Sequence, residues 1–238
     1  MSGLRARLTA VPTERLHLWL MLVLTFTTGI NDAVGYLGLD KVFTGNMTGN
    51  VVVLGMAVAG GSGLPILGPA LALVGFMAGA AIAGRALRDG TRSWHGRTTI
   101  VFGAVAAIML VLGAVLLAFG DEPTHAQKVT VTTTAALAMG LQAAAARLVA
   151  VKDVTTVVVT STITGLAADS VLGSGRGGGT TRRAVAVLAI IAGAVVGALL
   201  LRWHLGAGLL LAGVVVAVAT WIGELHDRPT RAGEARTA

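Results

Sequence analysis

Eight apolar segments follow one another along the chain, at residues 18–39, 42–60, 65–87, 98–119, 129–150, 154–172, 184–201 and 205–222, and each has about the length of a membrane-crossing helix. Hydrophobic residues make up 55% of the 238 positions and charged residues only 12%, which is more apolar surface than a soluble core of this size can hide. The chain therefore reads as an all-α integral membrane protein. Its formal charge of +7 comes from basic residues in loops and tails, without the aromatic interleaving of a nucleic-acid groove. The lipid bilayer is the expected partner, and no nucleic acid is.

Against this background two short stretches are out of place. "GINDA" (Gly29 to Ala33) and "FTGNMTGN" (Phe43 to Asn50) put three Asn, an Asp and two Thr-Gly pairs where hydrocarbon belongs. Both have echoes further on. "TGINDAVGYL" from Thr28 resembles "MGLQAAAARL" from Met139, "TGNMTGN" from Thr44 aligns with "TSTITGL" from Thr160, and "FMAGAAIAG" from Phe76 echoes "IIAGAVVGA" from Ile190. The offsets are 111, 116 and 114 residues, near half the chain and in the same order, so the first four segments read as duplicated in the second four.

Charge indicates how the halves face. With eight spans and a cytoplasmic N-terminus, ten Lys and Arg fall inside and eight outside, hardly a bias. If segments 2 and 6 are broken or half-spanning, Arg85, Arg88, Arg92 and Arg97 move inside together with Arg147, Lys152, Arg176, Arg182 and Arg183, and the count becomes fifteen inside against Lys41, Lys128 and Arg202 outside. The positive-inside rule favours this second arrangement. Three spans per half make the second half run upside down, so the expected fold is two inverted repeats, each of three spanning helices plus one broken segment. The divisions are a cytoplasmic tail at 1–17, a first repeat at 18–119, an external loop at 120–128, a second repeat at 129–222 and a disordered cytoplasmic tail at 223–238.

The polar elements carry the functional expectation. On a helix Thr44 and Thr48 share one face, Gly45 and Gly49 another, and Asn46 and Asn50 a third, which leaves no face for lipid and implies an enclosed or cavity-lining segment. A buried ionised carboxylate at Asp32 would cost about 2.5–3.5 kcal/mol on insertion scales, so it is expected to face the bundle interior or a cavity and to hold a proton or cation. Asn31, Asp32, Thr44, Asn46, Thr48 and Asn50 form one wall of the expected site, with Gln142, Thr160, Thr162 and Thr164 opposite. Gly45, Gly49, Gly79, Gly165 and Gly193 are expected to let helices approach closely. Asp169, nearer the end of its segment, reads as hydrated at a helix end. The β-branched run "VTTVVVT" (Val154 to Thr160) suits either an extended lead into a half-helix or a helix.

Other chemistry is poorly represented. There is no cysteine, the five histidines lack ligand spacing, and no nucleophile–base pair appears, so neither a metal site, a cofactor nor an enzyme is expected. "SGRGGGTTRR" (Ser174 to Arg183) lacks the ending of a phosphate-binding loop and reads as a linker. The acceptor pattern Asn46-Met47-Thr48 lies in an apolar segment, where glycosylation has no access.

Through "GINDAVGYL" followed by "FTGNMTGN", and more faintly "GLQ" followed by "TSTITG", the chain resembles the YoaK-like family, small multi-spanning bacterial membrane proteins catalogued as a domain of unknown function. The resemblance extends from about Leu18 to Ile222. It departs where family members tend to carry Asn after "GLQ" and this chain has Ala143, and where they carry Thr-Gly and it has Thr160-Ser161. The resemblance implies a bacterial inner-membrane protein and names no substrate.

Three readings stand: a secondary transporter of a small solute or ion working by alternating access, a structural or regulatory protein whose polar residues lock helices or form the face of a homodimer, and a passive channel. A single cysteine at position 92 tests the six-span arrangement. An impermeant maleimide is expected to leave it unlabelled in intact cells and to label it in inverted vesicles; labelling from outside, with a cytoplasmic N-terminus, overturns the arrangement.

Overall fold

The computed structural model describes residues 10–61, 63–88, 93–120, 122–149, 159–171, 173–175 and 179–237, with side chains to residue 227. Arg92, Lys152, Arg176 and residues 154–158 of the β-branched run lie outside the described residues. The described chain is helical, in eight helices: α1 (Thr13–Gly38), α2 (Met47–Val58), α3 (Leu67–Leu87), α4 (Gly96–Phe119), α5 (His125–Val149), α6 (Val159–Ala168), α7 (Thr180–Leu200) and α8 (Leu205–Thr237). Six are long and apolar enough to cross a membrane. The other two, α2 with 12 residues and α6 with 10, are ~18 and ~15 Å long against a hydrocarbon thickness of ~30 Å.

Glycine sets how the long helices meet. A Cβ on Gly193 would strike the Phe26 carbonyl oxygen, and one on Gly29 would strike that of Ile190, so α1 and α7 cross backbone to backbone. Gly79 against Leu137 and Gly140 against Phe76 do the same for α3 and α5. Helices separated by no side chain gain dispersion contacts over both backbones, which is the main attraction left between helices when lipid is as apolar as they are.

These contacts also give direction. Gly193 meets Phe26 and Gly197 meets Ile30, so α1 and α7 run the same way, as do α3 and α5, where Gly75 meets Thr133 and Gly79 meets Leu137. Gly113 on Leu210 and Gly213 on Leu110 make α4 and α8 antiparallel, while Gly38 on Leu205 and Gly208 on Val34 make α1 and α8 antiparallel. Across the α1–α5 crossing Asn31 meets Met139 and Thr28 meets Gln142, again antiparallel. Hence α1, α4 and α7 point one way and α3, α5 and α8 the other.

At one end of the bundle Trp94 stacks on Phe102, and the His17 ring lies tilted against Trp94 at 6.2 Å between centroids. The Trp94 indole N–H donates to Thr99, whose hydroxyl donates to Glu224 at 2.6 Å. Thr13 bonds His226 at 3.1 Å, and a Cβ on Gly223 would strike the Trp94 ring. Where a tail was expected from residue 223, α8 runs on as helix to Thr237, and Glu224 and His226 at the start of that stretch find partners on α4 and α1.

Gly193→Leu is expected to lower stability by about 3 kcal/mol or more, since backbone rather than a movable side chain blocks the new atoms. Gly103, on an open face of α4, has nothing within 4 Å of where an alanine methyl would sit, and Gly103→Ala is expected to be neutral or to gain up to ~1 kcal/mol. Thermal unfolding in detergent checks both, and similar midpoints for the two variants contradict the close crossing.

Candidate functional site

The first helix ends in a reversal that ordinary residues have to strain to make. Asp40 and Lys41 take positive φ values of 66° and 55°, and the chain turns back along α1. Gly35 makes room for it, because a Cβ there would collide with the Val42 carbonyl oxygen. The returning segment passes Gly35 with Val42, Asp32 with Thr44, and Thr28 with Gly45 before α2 begins. α2 then heads back to the end it came from, where the Lys41 ammonium donates to the Gly63 carbonyl at 3.1 Å. The segment thus dips to about the middle of α1 and returns without crossing.

Asp32 holds the bottom of the dip. Its Oδ1 accepts the backbone N–H groups of Thr44 at 3.0 Å, Gly45 at 2.7 Å and Asn46 at 3.3 Å, and a long bond of 3.5 Å from the Thr44 hydroxyl. Successive N–H groups aimed at one anion form a nest, and the carboxylate supplies the acceptor that water cannot supply at this depth. No described donor reaches Oδ2. Asn46 caps α2 through Gly49 N–H at 3.2 Å, and Asn50 closes the loop by accepting from Phe43 N–H at 2.9 Å and donating to its carbonyl at 2.6 Å.

α6 is held in a similar relation to α7. The Arg183 guanidinium donates to the Gly165 carbonyl at 2.9 Å and to Asp169 Oδ2 at 2.6 Å, so Asp169 is an ion-paired anchor rather than a hydrated helix end. With the end of α6 tied near the start of α7, its first residues, Val159 and Thr160, reach the level of Ile190 in the middle of α7.

Between the starts of α2 and α6 lies a cavity of about 640 Å³. Of the residues expected in the site, Asp32, Asn46, Thr48 and Thr160 line it, with Gly45 and Gly49 in its floor. The remaining ones stand elsewhere. Thr44 and Asn50 are buried in the loop's own hydrogen bonds, Thr162 is buried off the cavity, and Thr164 is exposed and donates back to the Thr160 carbonyl. Asn31 and Gln142 are buried at the α1–α5 crossing, where Asn31 Nδ2 meets Met139 Sδ at 3.2 Å and Gln142 Nε2 donates to Leu24 O and Thr28 Oγ1, both at 3.3 Å. Their side-chain oxygens have no hydrogen-bond partner among the described residues.

The glycines divide in the same manner. Gly79 and Gly193 lie at helix crossings and Gly165 under the Arg183 guanidinium, whereas Gly45 rests on Thr28 and Met139, and Gly49 on the Phe43 ring. α2 and α6 do not pack on each other among the described residues. Gly45 and Gly49, expected to let helices approach closely, instead clear space for the loop, and the cavity lies between the starts of α2 and α6.

Sequence reasoning missed Thr28, Tyr36 and Phe43 on the cavity wall. Tyr36 and Phe43 stack with ring centroids 4.6 Å apart. A signal was present, since Tyr36 is the chain's single Tyr and Phe43 opens the polar motif. Asn50→Ala strips both bonds from Phe43 and is expected to cost about 2 kcal/mol, with faster hydrogen exchange over residues 39–46. Exchange unchanged in Asn50→Ala refutes the role.

No solved structure matches the chain. The UPF0700 transmembrane protein YoaK of Bacillus subtilis (strain 168) is 30% identical to it over 151 residues, which are 63% of this chain and 65% of that protein's length. Less than two thirds of that relative is thus covered. Residues 20–222, from the first turns of α1 into α8, match the family described as Protein of unknown function (DUF1275), and the chain is a multi-pass membrane protein belonging to that family.

Proposed function

We propose that the protein is a secondary transporter, carrying a small solute or ion across the bacterial inner membrane by alternating access. One observation carries the reading: two helices too short to span begin near the middle of the bundle and bring their N-termini to one cavity beside Asp32. Discontinuous helices meeting at mid-depth are how many secondary transporters form a site, and an ionisable residue within the spans marks a substrate or ion path. Asp32 holds a proton or cation, and Asn46, Thr48 and Thr160 hydrogen-bond the solute.

The directions of the helices support an inverted repeat. Under the sequence repeat α1 corresponds to α5, α3 to α7 and α4 to α8, and the members of each pair run oppositely. The contacts exchange as well, since the Gly29–Ile190 approach of α1 to α7 corresponds to the Gly140–Phe76 approach of α5 to α3, each joining one half to the other. Two like units about one axis have two equivalent packings, which is the bistability that alternating access needs. The bias of basic residues orients both termini to the cytoplasm. The protein performs no covalent chemistry in this reading.

Proteoliposomes test it. Wild-type protein is expected to give saturable, gradient-coupled uptake of a solute found by ligand-stabilisation screening, and Asp32→Asn and Asn46→Ala to reduce uptake at least tenfold while the protein remains folded. Uptake unaltered in both variants, with folding or assembly impaired, overturns the transporter. Uptake linear in concentration and indifferent to a gradient indicates a channel instead.

A further inference from the structure

We infer that the cavity selects a small organic cation, an ammonium-bearing solute whose charge sits on Asp32 Oδ2 against the Tyr36–Phe43 ring pair. The inference rests on the transporter reading for the route the solute takes, but its chemistry stands on the cavity alone.

Charge comes first. Asp32 is the one formally charged residue lining the cavity, and no Lys, Arg or His joins it among the described residues. Its carboxylate is held in place through Oδ1 by three backbone N–H groups, so Oδ2 is oriented in advance and no described protein donor competes for it. The opposing influence is the helix ends. A helix N-terminus carries roughly half a positive charge, and those of α2 and α6 both face this space. The N–H groups leading into α2 are already taken by Asp32 Oδ1, and Gly49 N–H by Asn46. A helix end carries only a fraction of a charge, and the carboxylate a full one in direct reach of a ligand, so an anion is disfavoured and a cation favoured.

Size and surface then narrow the cation. A cavity of about 640 Å³ has the size of small-molecule sites and far exceeds the shell of one bare ion. A divalent metal needs several acidic or imidazole ligands, and among the described residues no group of three or more His, Cys, Asp and Glu side chains exists to supply them. An ammonium needs less: one carboxylate, hydroxyl or amide oxygens, and an aromatic face. Thr48 and Thr160 offer the oxygens, and the stacked Tyr36 and Phe43 rings, centroids 4.6 Å apart, offer the face. Val52, Val53 and Ile190 complete an apolar side for the rest of the solute.

The test uses three probes of one shape and different charge: benzylammonium, benzyl alcohol and benzoate. Each is titrated calorimetrically into the full-length protein in lipid nanodiscs at neutral pH. Benzylammonium is expected to bind saturably and at least about tenfold more tightly than the alcohol, with benzoate weakest. Asp32→Asn keeps the acceptor for the loop and is expected to abolish the preference for the ammonium. Should that variant fail to fold, Tyr36→Leu on the half-exposed wall is expected to weaken the ammonium several-fold while leaving the alcohol nearly unchanged.

Tighter binding of benzoate or of the alcohol, no saturable binding of the ammonium, or equal ammonium binding by folded Asp32→Asn overturns the inference. Ammonium binding without gradient-coupled uptake sinks the transporter and leaves the site. Coupled uptake of an anion, with no ammonium bound, sinks the site and leaves the transporter.

Discussion

Everything at the centre of this molecule hangs on the Asp32 carboxylate accepting the N–H groups of residues 44–46. A chain that turns back inside a bilayer has no water to satisfy its backbone and, being neither helix nor closed sheet, no repeating partner of its own. One carboxylate oxygen answers three donors at once, and Asn50 answers both polar groups of Phe43. With those five groups satisfied, the loop can rest at the depth of Thr28 and α2 can start there. The same residue also lines the cavity, so the group that permits the broken helix is the formally charged one beside that space among the described residues.

Glycine makes that dip possible. Gly35 lets the returning chain lie on α1 and Gly45 lets it pass Thr28, while Gly29, Gly79, Gly140 and Gly193 bring four long helices together in two backbone-level crossings. The crossings position α7 behind α1 and α3 behind α5, which leaves α2 and α6 on the outside of each pair with a gap between their ends. Hydrocarbon does not drive helices together as water does, so these contacts, together with the Arg183–Asp169 pair and the Glu224–Thr99 and His226–Thr13 bonds, carry much of the assembly.

Much of the architecture was legible from the residues. Six spans and two short helices followed from hydropathy together with the bias of Arg and Lys, because those depend on composition along the chain and on the cost of moving charge across lipid. Asp32 and the "TGNMTGN" stretch identified themselves as polar groups too costly to leave in hydrocarbon without a partner. Which partner each one has was not legible. Asn31 and Gln142 have the same composition signal as Asn46 and Thr160, yet the first two cross at α1 and α5 and the last two line the cavity, since the difference is one of azimuth and of what packs behind. Asp169 looked like a helix end because its Arg lies 14 residues on, across a loop that no local pattern spans.

Apolar length, charge bias and the rarity of buried polar residues indicate on their own that this chain enters a membrane, that six full crossings suit its charges better than eight, and where its polar chemistry concentrates. Each of those is a transfer free energy and adds up residue by residue. The cavity, the stacked Tyr36 and Phe43 on its wall, and the division of polar residues between anchors and lining came only with folding. They depend on which helices touch and in which direction they run, and that is a property of packed pairs rather than of any single segment.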